Sequence, residues 1–235
     1  MFFAGLVAEP FQSAASALLL VGFVLFGIVM TLAVSKFLSK TILKGLPSSF
    51  TLELPPYRMP QIGKVIVRSL LDRTLFVLGR AAAVAAPAGL IIWAMANINA
   101  DGVSLLAHCA AFFDPFARLI GLDGFILMAF ILGFPANEIV VPIIIMSYMA
   151  SGSMVELESL GELRELLVSH GWTWLTAVCT MLFALMHWPC GTTCWTIRKE
   201  TRSWKWTGIS ILMPTASGIA ICFIVANLAR LLGLA

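Results

Sequence analysis

Two stretches of this sequence carry residues of the types and spacing that metal-ion chemistry needs. The first is Gly133-Phe134-Pro135-Ala136-Asn137-Glu138, set in the middle of an otherwise apolar run from Phe125 to Ala150. A carboxylate in mid-membrane costs about 2.5–3.5 kcal/mol or more, so Glu138 is a functional-site candidate by default. With Asn137 it offers hard oxygen ligands to a cation, and a broken backbone frees carbonyls for the same purpose. Gly133, Pro135 and Pro142 mark that break. A second reading is compatible with the first: Glu138 lies in the first turn of a following half-helix and caps it, with Pro135 and Asn137 suited to a helix start. The second stretch, His-Trp-Pro-Cys-Gly-Thr-Thr-Cys, brings His187, Cys190 and Cys194 into register. On a continuous helix their spacing puts all three on one face, and Pro189 would bend the helix there. Imidazole and thiolate suit iron, zinc or copper better than magnesium. The alternative is that the cysteines pack as small apolar residues and His187 bonds a backbone carbonyl. His108, Cys109, His170, Met128, Met146, Met149 and Met186 read as polar-segment or core residues.

These residues need a membrane scaffold. Of the 235 residues, 60% are hydrophobic and only 11% charged, whereas soluble domains carry about 25% charged residues. There are too few polar groups to cover a water-facing surface, and the class is an all-α, polytopic membrane protein. Five cysteines, mostly inside apolar runs, argue against a secreted disulfide framework. Trp93, Trp172, Trp174, Trp204 and Trp206 sit near the ends of apolar runs, as an interfacial belt requires. The N-terminus lacks the basic region of a signal peptide.

The expected elements are membrane spans over 13–34, 75–97, 172–188 and 206–228, an amphipathic helix over 61–73 and a surface helix over 104–122 broken at Pro115. An acidic outer helix over 156–168 and a basic cytoplasmic helix over 190–205 complete the set. Fold class is thus about four full transmembrane helices, a broken or re-entrant helix pair over 124–150, and amphipathic surface helices. Charge sets the orientation. Residues 36–80 hold eight Lys or Arg, which places that loop in the cytoplasm. If 124–150 were an ordinary span, the cluster Arg198, Lys199, Arg202 and Lys205 would fall outside, against the rule. If it enters and leaves on the outer side, the cluster falls inside. Each half of the stretch reaches only about 16 Å, half the hydrocarbon thickness, and broken helices at that depth are typical of transporter sites. The acidic residues Glu156, Glu158, Glu162 and Glu165 either concentrate cations at the outer mouth or form a solvated helix face.

No G-x-x-x-x-G-K-[ST] phosphate loop occurs, and no serine-histidine-acid pattern stands out. The chain is not expected to be an enzyme, and any nucleotide hydrolysis must come from another chain. Three landmarks then stand in order: Leu-Glu-Leu-Pro-Pro-Tyr-Arg-Met-Pro ahead of the basic amphipathic helix, Gly-Phe-Pro-Ala-Asn-Glu-Ile-Val-Val-Pro, and Pro-Cys followed by Thr-Ile-Arg-Lys-Glu-Thr-Arg-Ser-Trp-Lys-Trp. Over about Leu52 to Thr207 they resemble the C-terminal half of the ferrous iron transport protein B (FeoB) family, and more specifically its second Gate-type module. The resemblance implies that Gly133, Pro135, Asn137 and Glu138 form the polar break of the Gate, and that Cys190 is the membrane cysteine meant to meet iron. Cys194 and His187 are not assigned by it. It implies Fe²⁺ as transported substrate with no tightly bound cofactor, uptake across the bacterial cytoplasmic (inner) membrane, and no nucleic-acid partner. Family members usually carry a GTPase domain, a helical linker and a first Gate module before this region. The resemblance therefore implies a partner chain bearing those parts, or a second copy of this chain. The alternative is a non-transporting Gate-fold membrane protein used for interaction or assembly. A membrane enzyme with a centre at His187, Cys190 and Cys194 is a third reading.

Overall fold

The computed structural model describes residues 12–41, 61–68, 71, 74–100, 102–153 and 159–233 of the chain. The Leu-Glu-Leu-Pro-Pro landmark and the acidic residues Glu156 and Glu158 lie outside the described residues. The chain divides into two units, one formed by residues 17–80 and the other by the remainder.

In the first unit, α1 (Gln12–Thr41) is a 30-residue apolar helix whose hydrophobic window is wholly unburied. It continues past Val34 through Lys36 and Lys40, where Ser39 and Thr41 turn their hydroxyls back onto the carbonyls of Ser35 and Phe37. α2 (Ile62–Arg68) covers the start of the expected amphipathic helix. α3 (Phe76–Asn97) carries Pro87 inside it and extends into the second unit.

The second unit begins with a two-stranded hairpin absent from the sequence reading, β1 (Asn99–Ala100) against β2 (Val103–Ser104). Ser104 then caps α4 (Leu105–Leu119), accepting from the Ala107 amide at 3.2 Å. The expected break at Pro115 does not occur. Pro115 removes one backbone bond, but α4 runs on to Leu119 and the chain turns afterwards, at Gly121, whose φ of +76° suits glycine. α5 (Gly124–Leu132) departs at 109° to α4. An added Cβ on Gly124 would lie 2.0 Å from the Ala110 carbonyl oxygen, so the two helices touch backbone to backbone. α5 is apolar on every side, and seven of its nine residues are buried.

A turn over 133–136 and one 3-10 turn (Asn137–Ile139) lead into α6 (Val140–Met149). α6 returns along α5. Its Tyr148 ring lies 5.7 Å from the Phe125 ring, and the Tyr148 hydroxyl donates to the Asp123 carboxylate at the start of α5. α7 (Leu160–Ser169), capped by Ser159, is the described part of the acidic helix. α8 (Trp174–Met186), capped by Thr173, has 13 residues and is about 20 Å long, too short to cross a membrane alone. The expected span 172–188 therefore does not end as one. It continues after a break through α9 (Gly191–Thr201), and together they make a 28-residue candidate crossing, Trp174–Thr201. Arg202, in the left-handed region, closes α9. The unbroken α10 (Trp204–Leu231) packs against α4, α8 and α9. The described helices thus comprise four candidate spans and one sharply bent apolar pair.

Candidate functional site at two helix breaks

The first break follows directly from its residues. Gly133 ends α5 with its amide on the Ala129 carbonyl at 2.8 Å, and a Cβ there would lie 2.5 Å from Val140 Cγ2, so only glycine lets the returning chain come this close. Pro135 cannot donate a backbone bond and holds the turn open. Ala136 is extended, and Asn137–Ile139 restart the helix. Pro142 falls in the first turn of α6, where its missing amide is no loss. Asn137 Oδ1 is buried without a hydrogen-bond partner. Glu138, by contrast, is exposed on the surface of this chain.

The second break is His187-Trp188-Pro189-Cys190. His187 ends α8 in extended conformation, its amide on the Phe183 carbonyl at 2.7 Å. Its ring Nδ1 lies 2.8 Å from the Ala184 carbonyl oxygen. A carbonyl only accepts, so Nδ1 carries the proton and Nε2 presents a lone pair. That Nε2 is buried and unpartnered, as is the Trp188 indole N–H. The Cys190 backbone caps α9, and its sulfur is 3.1 Å from the hydroxyls of both Thr192 and Thr193. Cys194, buried inside α9, donates its thiol to the Pro189 carbonyl at 3.3 Å.

His187, Cys190 and Cys194 therefore do not share one continuous helical face. Pro189 interrupts the ladder, leaving one residue at the end of α8, one at the start of α9 and one inside α9. Among the described residues no group of three His, Cys, Asp or Glu side chains gathers in a way that would hold a metal ion.

The two breaks meet. The Gly191 amide donates to the Phe134 carbonyl at 2.7 Å, and the His187 ring packs against Phe130 with centroids 5.1 Å apart. The depth is set by α10: an added Cβ on Gly218, halfway along that 28-residue helix, would lie 3.2 Å from the Met186 carbonyl oxygen beside the second break. Two interrupted helices thus cross near mid-span, and among the described residues a buried amide oxygen and an imidazole lone pair there have nothing to accept from. Of the residues that sequence reading singled out, Asn137, His187, Cys190 and Cys194 lie at the two breaks, and Glu138 is exposed beside the first. It missed Trp188, the Phe134 carbonyl, and the Thr192 and Thr193 hydroxyls. Two hydroxyl residues directly after a cysteine that precedes a helix were the available signal for the last pair.

The opposite end of the hairpin is latched. The Trp172 indole donates to the Tyr148 hydroxyl at 2.7 Å, Tyr148 donates to Asp123, and Asp123 accepts from the Ile126 amide at 2.7 Å. The His170 ring stacks on Tyr148 at 4.5 Å.

Two family models match the chain: ferrous iron transport protein B C terminus over residues 20–72, and Gate, described as nucleoside recognition, over residues 78–204. Among curated relatives, the Fe(2+) transporter FeoB of Staphylococcus aureus (strain MSSA476) is 29% identical over 97% of this chain and 33% of its own length. That of strain COL is 30% identical over 94% of this chain and 32% of its own. The Fe(2+) transporter FeoB of Methanocaldococcus jannaschii is 22% identical over 98% of this chain and 34% of its own. The chain spans about a third of the length of these relatives. No solved structure matches. Both breaks fall within the Gate match, which covers more than half of the chain, and the chain belongs to the Gate family, as the C-terminal membrane region of the FeoB type.

Proposed function

We propose that this chain is the membrane permease part of a FeoB-like ferrous iron transporter, which moves Fe²⁺ into the cytoplasm across a bacterial inner membrane. It does so together with a partner that carries a GTPase. The observation that carries the proposal is the meeting of the two breaks at mid-span with Asn137 Oδ1 and His187 Nε2 buried and unpartnered. Each orphaned acceptor costs about 1–3 kcal/mol, and both are satisfied by a passing cation. Fe²⁺ accepts oxygen, imidazole and sulfur ligands alike, which fits Asn137, His187 and Cys190. Glu138 faces away from this chain and supplies its carboxylate where a neighbouring membrane segment closes the path. Cys194 already donates to Pro189 and contributes to the shape of the break.

Radioactive Fe²⁺ uptake in iron-transport-deficient cells that also contain the GTPase-bearing partner tests this. Glu138→Ala and Cys190→Ala should each reduce uptake at least tenfold at unchanged protein level in the membrane. Uptake unaffected by either substitution sinks the transport reading and leaves the non-transporting Gate-fold assembly protein in its place.

A further inference from the structure

At the latched end of the second unit lies a cavity of about 390 Å³. Its polar lining comes from four separate places in the chain: Arg118 at the end of α4, Asp123 at the start of α5, His170, Trp172, Thr173 and Thr176 leading into α8, and Arg230 at the end of α10. None of these belongs to the two breaks.

The two arginines are 112 residues apart in sequence, yet the Arg230 Nη2 group donates to the Arg118 carbonyl at 2.5 Å. Arg118 Nε is paired with Asp114 at 2.6 Å, and its side chain is 75% exposed. Each guanidinium carries five donors, and among the described residues these contacts occupy only part of either fork. The one carboxylate lining the cavity, Asp123, is already accepting from Ile126 and Tyr148. Thr173 and Thr176 add hydroxyls beside the first turn of a 13-residue helix, where the backbone dipole is positive. The carboxylates Asp114 and Asp123 balance the two arginines in charge, but hydrogen-bond donors outnumber free acceptors in this lining, which suits an anion.

Position narrows the class. α8 starts here and α10 ends here, so the cavity lies at the level where candidate spans leave the membrane, with Trp172 in its lining and Trp174 next to it. The charge pattern read from the sequence places this end on the outer side, and Arg118 is matched there by Asp114. At this level the abundant anion is a phosphodiester, and a guanidinium fork matches its oxygens bidentately. We propose that this cavity binds a phosphate group, either that of an anionic phospholipid headgroup at the membrane surface or free phosphate.

The test uses the full chain purified in detergent. Retention of phosphatidylglycerol is measured by native mass spectrometry against phosphatidylcholine, and inorganic phosphate binding by calorimetry. Preferential retention of phosphatidylglycerol, displaced by millimolar phosphate, supports the lipid source. Phosphate binding without lipid retention supports free phosphate. The double variant Arg118→Gln with Arg230→Gln should weaken whichever binding is found by about tenfold or more, the loss of at least one charged hydrogen bond. Lys at both positions should restore only part of it, since it returns the charge without the bidentate fork. Should the Gln variant not fold, Thr176→Val, which leaves the arginines and the Thr173 cap in place, should weaken binding several-fold. Equal retention of both lipids with no phosphate binding overturns the proposal. So does binding that neither the Gln pair nor Thr176→Val changes.

Discussion

Asn137 and Glu138 are neighbours in sequence with opposite situations: one amide oxygen is buried and unpartnered, the other side chain is exposed on an apolar hairpin tip. The contrast separates stability from activity. Asn137→Ala removes a buried orphaned acceptor that costs about 1–3 kcal/mol, so it should leave the unfolding temperature in detergent unchanged or raised while lowering Fe²⁺ uptake. A large loss of stability would mean that Asn137 holds the tip together and has no part in the path. Tyr148→Phe should do the reverse. It strands the Trp172 donor and should cost about 1–3 kcal/mol, read as a lower unfolding temperature in detergent. Residue types alone made Asn137, Glu138 and Cys190 legible, since polar groups are expensive in an apolar run. The Trp188 indole and the Phe134 carbonyl were not legible, because their importance arises only where two segments more than fifty residues apart in sequence meet, and no periodicity encodes that meeting.

Helices were legible as apolar blocks, and their ends less so. α4 passes through Pro115 because its buried face, Leu106, Ala110 and Ala117, outweighs one lost backbone bond. α8 and α9 looked like a span followed by a surface helix, since the basic residues Arg198 and Lys199 cluster late in α9. The physical divider is Pro189, which splits one crossing into two half-helices. The closest helix contact is equally hidden in sequence. Gly124 reads as an ordinary helix-start residue, yet α4 and α5 touch through it. Gly124→Val should destabilise the protein by more than about 3 kcal/mol, at the upper end of overpacking costs, because the obstacle at 2.0 Å is a backbone oxygen that cannot rotate away. Normal expression and an unchanged unfolding temperature would contradict the packing described.

At the scale of the molecule, the arrangement assigns opposite sides of the membrane to the two ends of the α8–α9 crossing. In intact cells Ser169→Cys should react with an impermeant maleimide, whereas Lys199→Cys should react only after the membrane is opened; both positions are exposed. Labelling of both from one side would show that α8 and α9 do not cross.

The hairpin of α5 and α6 is held unequally along its length. The end opposite its tip is clamped by the chain of Trp172, Tyr148 and Asp123, with the His170 ring laid on top. Its tip rests on the second break through one backbone hydrogen bond, from Gly191 to Phe134. In mechanical terms it is a cantilever. A given force moves the free tip most and the root least, so the break at Asn137 is the most compliant part of the hairpin while the end at Tyr148 keeps its shape.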